Sequence, residues 1–529
     1  MRNLVCAIDV GTGSARAGVF DAGGAMLARQ VHPIVLSQPA GGVAEHDSED
    51  IWRAACRALQ AAMEEAGVAA ERIAGIAFDA TCSLVVRDRD GRQVSVSSPS
   101  SGPGDDRFDT ISWMDHRAIA EADECTATGH RVLEYVGEAM SPEMQTPKLM
   151  WLKRRLPASW ARAGLAVDLT DFLAWKATGN AARSQCTLTA KWTYLAHDDG
   201  WQQDFFDAVG LGDLMARAGL PAQPLPVAAS LGTLTAGAAS DLGLDTDCAV
   251  GVGAIDAFAG TIGVLGAFAD DGIERHVALI AGTSSCVMGM ADEARPAKGV
   301  WGPYYGACLP GLWLREGGQS ATGALLDLLI RQYGNGLRPD CAGHAAITDR
   351  IAELRAVNGD GFADGIHVLP DFHGNRTPFA DPHARGVISG LTLDTSFDAL
   401  CRLYWRTAVA IALGVRQILE HMAPRDGRID TLHLTGGHAR NPVLMELYAD
   451  ATDCEVRTNG ASDTVLLGSA MIAAAAGGLH PDLRRACRSM WQDGDRRAPN
   501  PAARARYDTD YRVFLRMQEH RAELDALTL

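Results

Sequence analysis

The chain has 529 residues, 47% hydrophobic, 21% charged and 6% aromatic, several times the length that one hydrophobic core needs, so two large domains are expected. A formal net charge of -17 and a sequence pI near 5.3 exclude an electrostatic hold on nucleic acid or an anionic membrane, and any phosphate site must use local backbone donors and metal ions. Twelve cysteines are scattered, the nearest two being Cys286 and Cys308 (308 − 286 = 22 positions apart), which excludes a C-x-x-C site and reads as reduced thiols of a cytoplasmic protein.

The first residues run straight into a strand without an apolar leader, so a soluble protein with no secretion signal is expected. Residues 4–9 read as a strand, Gly11-Thr12-Gly13-Ser14 as a tight turn, and 15–21 as the returning strand, with a further turn at 21–24 and a strand at 25–32. Ile51, Ala55, Leu59 and Met63 recur at helical spacing, predicting an amphipathic helix from near Asp47-Ser48 to Ala66. Residues 73–78 read as a buried strand and 84–86 as another, turning at Asp90-Gly91. The Ser/Pro/Gly/Asp-rich segment 93–109 reads as a surface loop, and 115–220 as mostly helical. The apolar run 249–255 is a strand ending in Asp256.

The polar segment 270–275 divides the chain into domains at 1–270 and 271–529. The second begins as the first did: strand 277–281, turn Gly282-Thr283-Ser284-Ser285, strand 286–290. Ser396 caps a long helix through Met422, which Pro424 stops. A strand at 431–435, the pair Gly436-Gly437 and a helix at 441–451 follow. The apolar stretch 470–479 is well short of the ~20 residues of a membrane span.

In the first turn, glycines let backbone N–H groups converge on an anion, and the hydroxyls of Thr12 and Ser14 add donors. Asp9 at the strand end suits Mg²⁺ held through water; an ordinary glycine hairpin is the plain alternative. Gly282, Thr283 and Ser284 offer the same chemistry, so the two hairpins read as two phosphate grips facing each other across a cleft. The glycines at 436 and 437 leave room for a flat base or ribose. Asp256 ends an apolar strand before a run of small residues, which suits a general base taking a proton from a hydroxyl; capping of the following helix is the alternative.

Strand, hairpin, hairpin and strand-Gly-Gly-helix in this order resemble the duplicated α/β ATPase fold of hexokinase, actin and heat-shock chaperones, two ribonuclease H-like domains around a central cleft. More specifically, the chain resembles the FGGY carbohydrate kinases over nearly its whole length. The resemblance is carried by Ile8-Asp9-Val10-Gly11-Thr12, Pro147-Lys148-Leu149-Met150-Trp151-Leu152, Gly253 to Ala257, Gly282-Thr283-Ser284, Asn375-Arg376-Thr377-Pro378 with Asp381-Pro382 and Arg385-Gly386, and Thr435-Gly436-Gly437. It implies Asp256 as the base, ATP phosphates on Gly11, Thr12, Gly13, Ser14, Gly282, Thr283 and Ser284, and nucleotide at Gly436, Gly437 and Asn441. Mg²⁺ is expected at Asp9 and Asp256. Dimers are common in the family.

Within the family the chain is most similar to the ribulokinase branch. Thr81-Cys82-Ser83-Leu84-Val85 stands where xylulokinases carry Met-His-Gly and glycerol kinases an Arg-Glu pair, and Trp113-Met114-Asp115-His116-Arg117 resembles the ribulokinase tryptophan motif. That resemblance implies a ketose held by Trp113, Lys191, Asp256 and Glu316, with Thr81, Cys82, Ser83, Asp115 and Arg117 as further sugar contacts. Each has a plainer reading: Trp113 as core, Glu316 as a solvated turn residue, Asp115 with Arg117 as a structural ion pair. The expected reaction is ATP-dependent phosphorylation of a ketopentose, D-ribulose first, with L-ribulose, ribitol or another pentitol open. A nucleotide-driven conformational protein of the actin and chaperone class, and a silent sugar sensor, are the rival classes.

Overall fold

In the computed structural model, which describes residues 2–39, 42–97, 107–381, 383–423 and 427–528, the apolar run Leu4–Val10 is a strand buried along its whole length, as a strand covered on both faces must be. It pairs antiparallel with Ser14–Asp21, which pairs antiparallel with Met26–Pro33. On its other side it runs parallel to Ile73–Ala80, and that strand runs parallel to Ala249–Ile255, with Ser230–Thr233 antiparallel at the edge.

The second half repeats this series. His276–Ala281 pairs antiparallel with Ser285–Ala291, and that strand with Trp313–Gln319. Its other neighbour is parallel Thr431–Thr435, then parallel Glu455–Asn459, then antiparallel Asp493–Arg497. Trp301–Tyr305 is an added strand at the meander edge. Six strands thus coincide in order and direction, and the short echo between the two glycine turns is the visible part of a whole-sheet duplication.

Helices cover these sheets where the periodicity places them. Ser48–Ala66 buries Ile51, Ala55, Leu59 and Met63, is capped by the Asp47 carboxylate, and ends at left-handed Gly67. Phe397–Met422 is capped by Ser396 and forms the spine of the second core; Pro424 lies outside the described residues. Between the halves, the helices Asp256–Leu265 and Thr464–Ala476 share one hydrophobic cluster, joining Ala7 and Phe20 to Ile262, Leu466 and Met471. They cross at backbone contact. A Cβ on Gly263 would stand 2.2 Å from the Thr464 carbonyl oxygen, and one on Gly468 1.9 Å from that of Ala259.

Two expectations need correction. The stretch 115–220 contains a strand, Ala163–Asp168, paired antiparallel with Leu84–Asp88 in a five-stranded sheet completed by Thr110–Ile111, Glu45–His46 and Leu36–Ser37. The strand expected at 73–78 continues to Ala80, which brings Asp79 into the sheet. Of the loop expected at 93–109, residues 98–106 lie outside the described residues. All twelve cysteines are free, and among the described residues no helix is long and apolar enough to cross a membrane.

Candidate active site

Three neighbouring parallel strands end in a carboxylate. Asp9 on Leu4–Val10 stands in register with Asp79 on Ile73–Ala80. Asp79 is also partnered with Ala254, two residues before Asp256, which opens the helix Asp256–Leu265. The carboxyl ends of parallel strands are where open α/β sheets bind ligands. Asp9 and Asp79 are wholly buried, while Asp256 is half-buried. Arg16, on the returning strand of the hairpin, reaches Asp9 with Nη2 at 3.1 Å from Oδ1 and 2.9 Å from Oδ2. Ser469 Oγ donates to Asp79 Oδ2 at 2.6 Å, a bond from a helix that lies between two strands of the second sheet in the chain to a strand of the first.

Burial pushes the Asp9 carboxyl up to about 7 against the pull of Arg16, and pushes Asp79 well above the ordinary carboxylate range, with the Asp9 charge adding to it. Burial raises Asp256 as well, while the Ala257 N–H, Arg16 and Lys191 draw it back. The Ala257 amide donates to Asp256 Oδ1 at 2.7 Å, so the carboxylate supports the helix start and faces the charged groups together. A carboxylate with a raised proton affinity beside Arg16 and Lys191 is equipped to accept a proton from a bound hydroxyl.

Lys191 and Glu316 are buried, and the charges of both act on Asp256. Burial alone would lower the Lys191 ammonium, but Cys82, Glu316 and Glu143 outweigh it and its pKa lies above the ordinary value. Glu316 forms an ion pair with Arg376. Lys191 Nζ and the Arg376 guanidinium both lie over the Trp301 ring, 4.5 Å and 4.3 Å from its centroid. Trp113 joins this side to the first hairpin: its Nε1 donates to Thr12 Oγ1 at 2.9 Å, and its backbone N–H donates to Ser83 Oγ at 3.2 Å. The Thr81 and Ser83 hydroxyls bond each other at 2.9 Å, and the Cys82 carbonyl accepts from Gln145 Nε2. This segment therefore holds the tryptophan in place.

Asp115 and Arg117 stand apart from that set. Asp115 accepts the amides of Ala44 and Arg117 as well as the Arg117 guanidinium, which also pairs with Glu45 and lies over Trp151. Their polar atoms are taken up by the protein, as in a structural ion pair.

At the two glycine turns the Gly11 amide donates to the Ser14 carbonyl at 3.0 Å and the Gly282 amide to that of Ser284 at 2.8 Å; the first turn has four residues between Val10 and Ala15 and the second is one residue tighter, between Ala281 and Ser285. A Cβ on Gly13, Gly282 or Gly437 would meet nothing within 4 Å; all three face open space. Gly436 differs. Its φ is +87°, and a Cβ there would lie 2.4 Å from the Ala281 carbonyl oxygen, so only glycine lets this turn lie against the second hairpin. Asn441 caps the helix Pro442–Thr452 through Oδ1 and donates to the Tyr404 hydroxyl. Among the described residues no group of three or more His, Cys, Asp or Glu side chains is arranged to hold a metal ion. The donors at hand are Asp9, whose two oxygens face Arg16 Nη2, and half-buried Asp256. Such a set fits a hard cation that arrives with phosphate oxygens and water.

Sequence reasoning missed Arg16, Asp79, Trp301 and Arg376 as members of this cluster. Arg16 follows the glycine turn by two residues, at the alternation that returns its side chain toward Asp9. Arg376 lay within a quoted motif, but its pairing with Glu316 spans 60 residues and has no local signature.

Models of the FGGY family of carbohydrate kinases match this chain over most of its length, the N-terminal domain at residues 4–263 and the C-terminal domain at 277–477. A human protein described as an FGGY carbohydrate kinase domain-containing protein is 40% identical over 542 residues, covering 98% of this chain and 97% of its own. A D-ribulokinase of Saccharomyces cerevisiae is 35% identical over 510 residues, covering 89% of this chain and 71% of its own. The crystal structure of a xylulose kinase from Rhodospirillum rubrum superposes with a TM-score of 0.79 at 25% identity, covering 98% and 99% of the two chains.

Proposed function

The chain belongs to the FGGY family of carbohydrate kinases, and from that premise we propose that it transfers the γ-phosphoryl group of ATP to the 5-hydroxyl of D-ribulose. The observation that carries this reading is the setting of Asp256, a strand-end carboxylate close enough to Arg16, on the strand after the first glycine hairpin, and to Lys191 and Glu316 to feel the charge of each. An acceptor hydroxyl bound between them lies next to a proton acceptor and next to the phosphate grips. The choice of pentulose is supported by the D-ribulokinase relative and by Thr81-Cys82-Ser83 in place of the segments of other branches.

In this reading the bond from the sugar O5 to the γ-phosphorus forms as the bond to the β,γ-bridging oxygen breaks, ADP leaves, and the O5 proton passes to Asp256. Gly11, Thr12, Gly13 and Ser14 face Gly282, Thr283 and Ser284 across the triphosphate. Gly436, Gly437 and Asn441 border the nucleoside. Mg²⁺, held from Asp9 with Asp256, would neutralise phosphate charge. Trp113 and Trp301 present apolar faces to the ketose, and Lys191, Glu316 and Arg376 hydrogen-bond its hydroxyls. Asp115 and Arg117 brace the wall behind Trp113 through backbone and ion-pair contacts.

A coupled ADP-release assay over D-ribulose, L-ribulose, ribitol, xylulose and glycerol tests the proposal. D-ribulose is expected to give the highest kcat/KM. A tenfold or larger preference for another acceptor would replace the substrate, and ADP release that no acceptor stimulates would remove the kinase reading of the site.

A further inference from the structure

Tyr304 lies among the charged residues of the site, yet the reaction as set out above makes no use of its hydroxyl. The side chain is 2% exposed, and among the described residues its Oη is buried without a hydrogen-bond partner. Buried hydroxyls are nearly always paired, because an unpaired one has given up water for nothing.

Three elements that carry site residues converge on this side chain. Trp301 stands opposite Glu316 and Tyr304 opposite Leu314, with one extra residue on the strand Trp301–Tyr305 between the two pairs. Opposite partners share a face of the sheet, and so do residues two apart on one strand. The irregularity therefore turns Tyr304 to the same face as Trp301 and Glu316. The helix Gln185–Lys191 is tied to this strand by Gln185 Nε2, which donates to the Tyr305 carbonyl at 2.7 Å. It ends at Lys191, over the Trp301 ring. The ring of Phe258, in the first turn of the helix that Asp256 opens, lies 6.2 Å from that of Tyr304. Burial pushes the Tyr304 phenol above its ordinary value, with the charges of Lys191, Glu316 and Arg376 acting on it as well. It keeps its proton at neutral pH and is free to donate it.

Glu316 and Arg376 already balance each other as an ion pair. An uncharged donor beside them suits an uncharged oxygen, which is what a polyol offers. We propose that the Tyr304 hydroxyl bonds a hydroxyl of the ketose other than the one phosphorylated, and so helps to set which acceptor the enzyme takes. This role presupposes the sugar-kinase reading given above and adds a residue to it. A buried polar group aimed at a substrate oxygen discriminates strongly against analogues lacking that oxygen, since the group is then left unpaired.

Tyr304→Phe removes the oxygen alone. The full-length parent and variant are assayed for ADP release with D-ribulose and with its 1-, 3- and 4-deoxy forms, and their thermal midpoints are measured without sugar. With D-ribulose, the variant is expected to lose about tenfold to a hundredfold in kcat/KM. With one of the deoxy forms the two proteins should agree within about twofold, because the oxygen that Tyr304 reads is absent. Without sugar, the variant's midpoint should equal or exceed the parent's, as no bond in the free protein is lost. An unchanged kcat/KM with D-ribulose, or one and the same loss with D-ribulose and all three deoxy forms, would overturn the proposal. A midpoint lowered by several degrees would overturn it too, as it marks a structural hydrogen bond. If the parent prefers another acceptor, D-ribulose is replaced as substrate, and Tyr304 stands or falls by the same comparison on that acceptor and its deoxy forms. ADP release that no acceptor stimulates in the parent would remove the kinase reading and this proposal together.

Discussion

The two halves carry one strand series, and at its centre they differ in charge. In the first half the residue two positions before the hairpin glycine is Asp9, in register with Asp79; in the second it is Ile280, in register with Thr435. Both turns are closed from the amide of their first glycine, onto Ser14 three residues on in the first and onto Ser284 two residues on in the second. The second is further fixed by the amides of Thr322, Gly323 and Ala324, which donate to the carbonyls of Gly282 and Thr283. Duplication has therefore kept a glycine turn after the first strand in both places, one residue shorter in the second, and the strand-end carboxylates in only one. Backbone and neutral hydroxyls suffice to embrace an anion, whereas moving a proton and seating a cation require acids, and these are gathered on one side of the cleft.

The sharpest way to break this division is Asp256→Asn. The loss of a general base is expected to lower kcat by roughly 10²–10⁴, with nucleotide affinity little changed because the second hairpin and the Gly436 turn are untouched. Acceptor-stimulated ADP release within a few-fold of the parent would mean that the acidic half is not where the proton goes. Next in size is the pair Gly436→Ala and Gly437→Ala. At Gly436 the φ of +87° and the 2.4 Å approach to the Ala281 carbonyl should cost about 1–3 kcal/mol of stability. At Gly437 the added methyl meets nothing, so its thermal midpoint should hold while the KM for ATP rises. Equal destabilisation of both would refute the distinction between a glycine needed for packing and one needed for access.

The smallest expected effect concerns pH, where the halves should respond with opposite sign. In the first, burial pushes Asp168 up to about 7 and Asp171 to about 6. Folded carboxyls with raised pKa bind protons more tightly than unfolded ones, so this contribution is complete at low pH and is lost as pH rises through about 6 to 7. In the second, burial lowers His438 to about 4. A depressed histidine binds its proton better when unfolded, so its contribution is present above the ordinary histidine range near 6.5 and is lost as pH falls toward 4. Hydrogen-exchange protection factors measured at pH 7 and pH 5 should rise in Ala163–Asp168 and fall in Thr431–Thr435, each by on the order of 1–2 kcal/mol. A shift of one sign throughout would show that the halves unfold as a single unit.

Much of this was legible from residue order. The meanders, the hairpin turns, the Ser48–Ala66 helix with its Asp47 cap and the Ser396-capped helix each rest on local periodicity or a local cap, and each lies where that signal put it. Asp256 was marked by the abrupt end of an apolar run. The five-stranded sheet was not legible, because two-residue strands such as Glu45–His46 and Leu36–Ser37 carry no period, and Ala163–Asp168 sits between helices. Asp79 was missed for a different reason. Its setting depends on lateral register with a residue 70 positions earlier and on a hydroxyl 390 positions later, neither of which leaves a trace in its neighbours.

The meeting of Gly263 with Thr464 and of Gly468 with Ala259 has a mechanical side. Side chains packed elsewhere interlock like teeth and resist sliding, but bare main chain at this crossover gives the two rods a smooth bearing. One rod starts at Asp256 and the other is capped by Asp463, which is ion-paired with Arg29 on the first sheet. A small swivel there would swing both acidic tips while the flanking cores move as solid blocks.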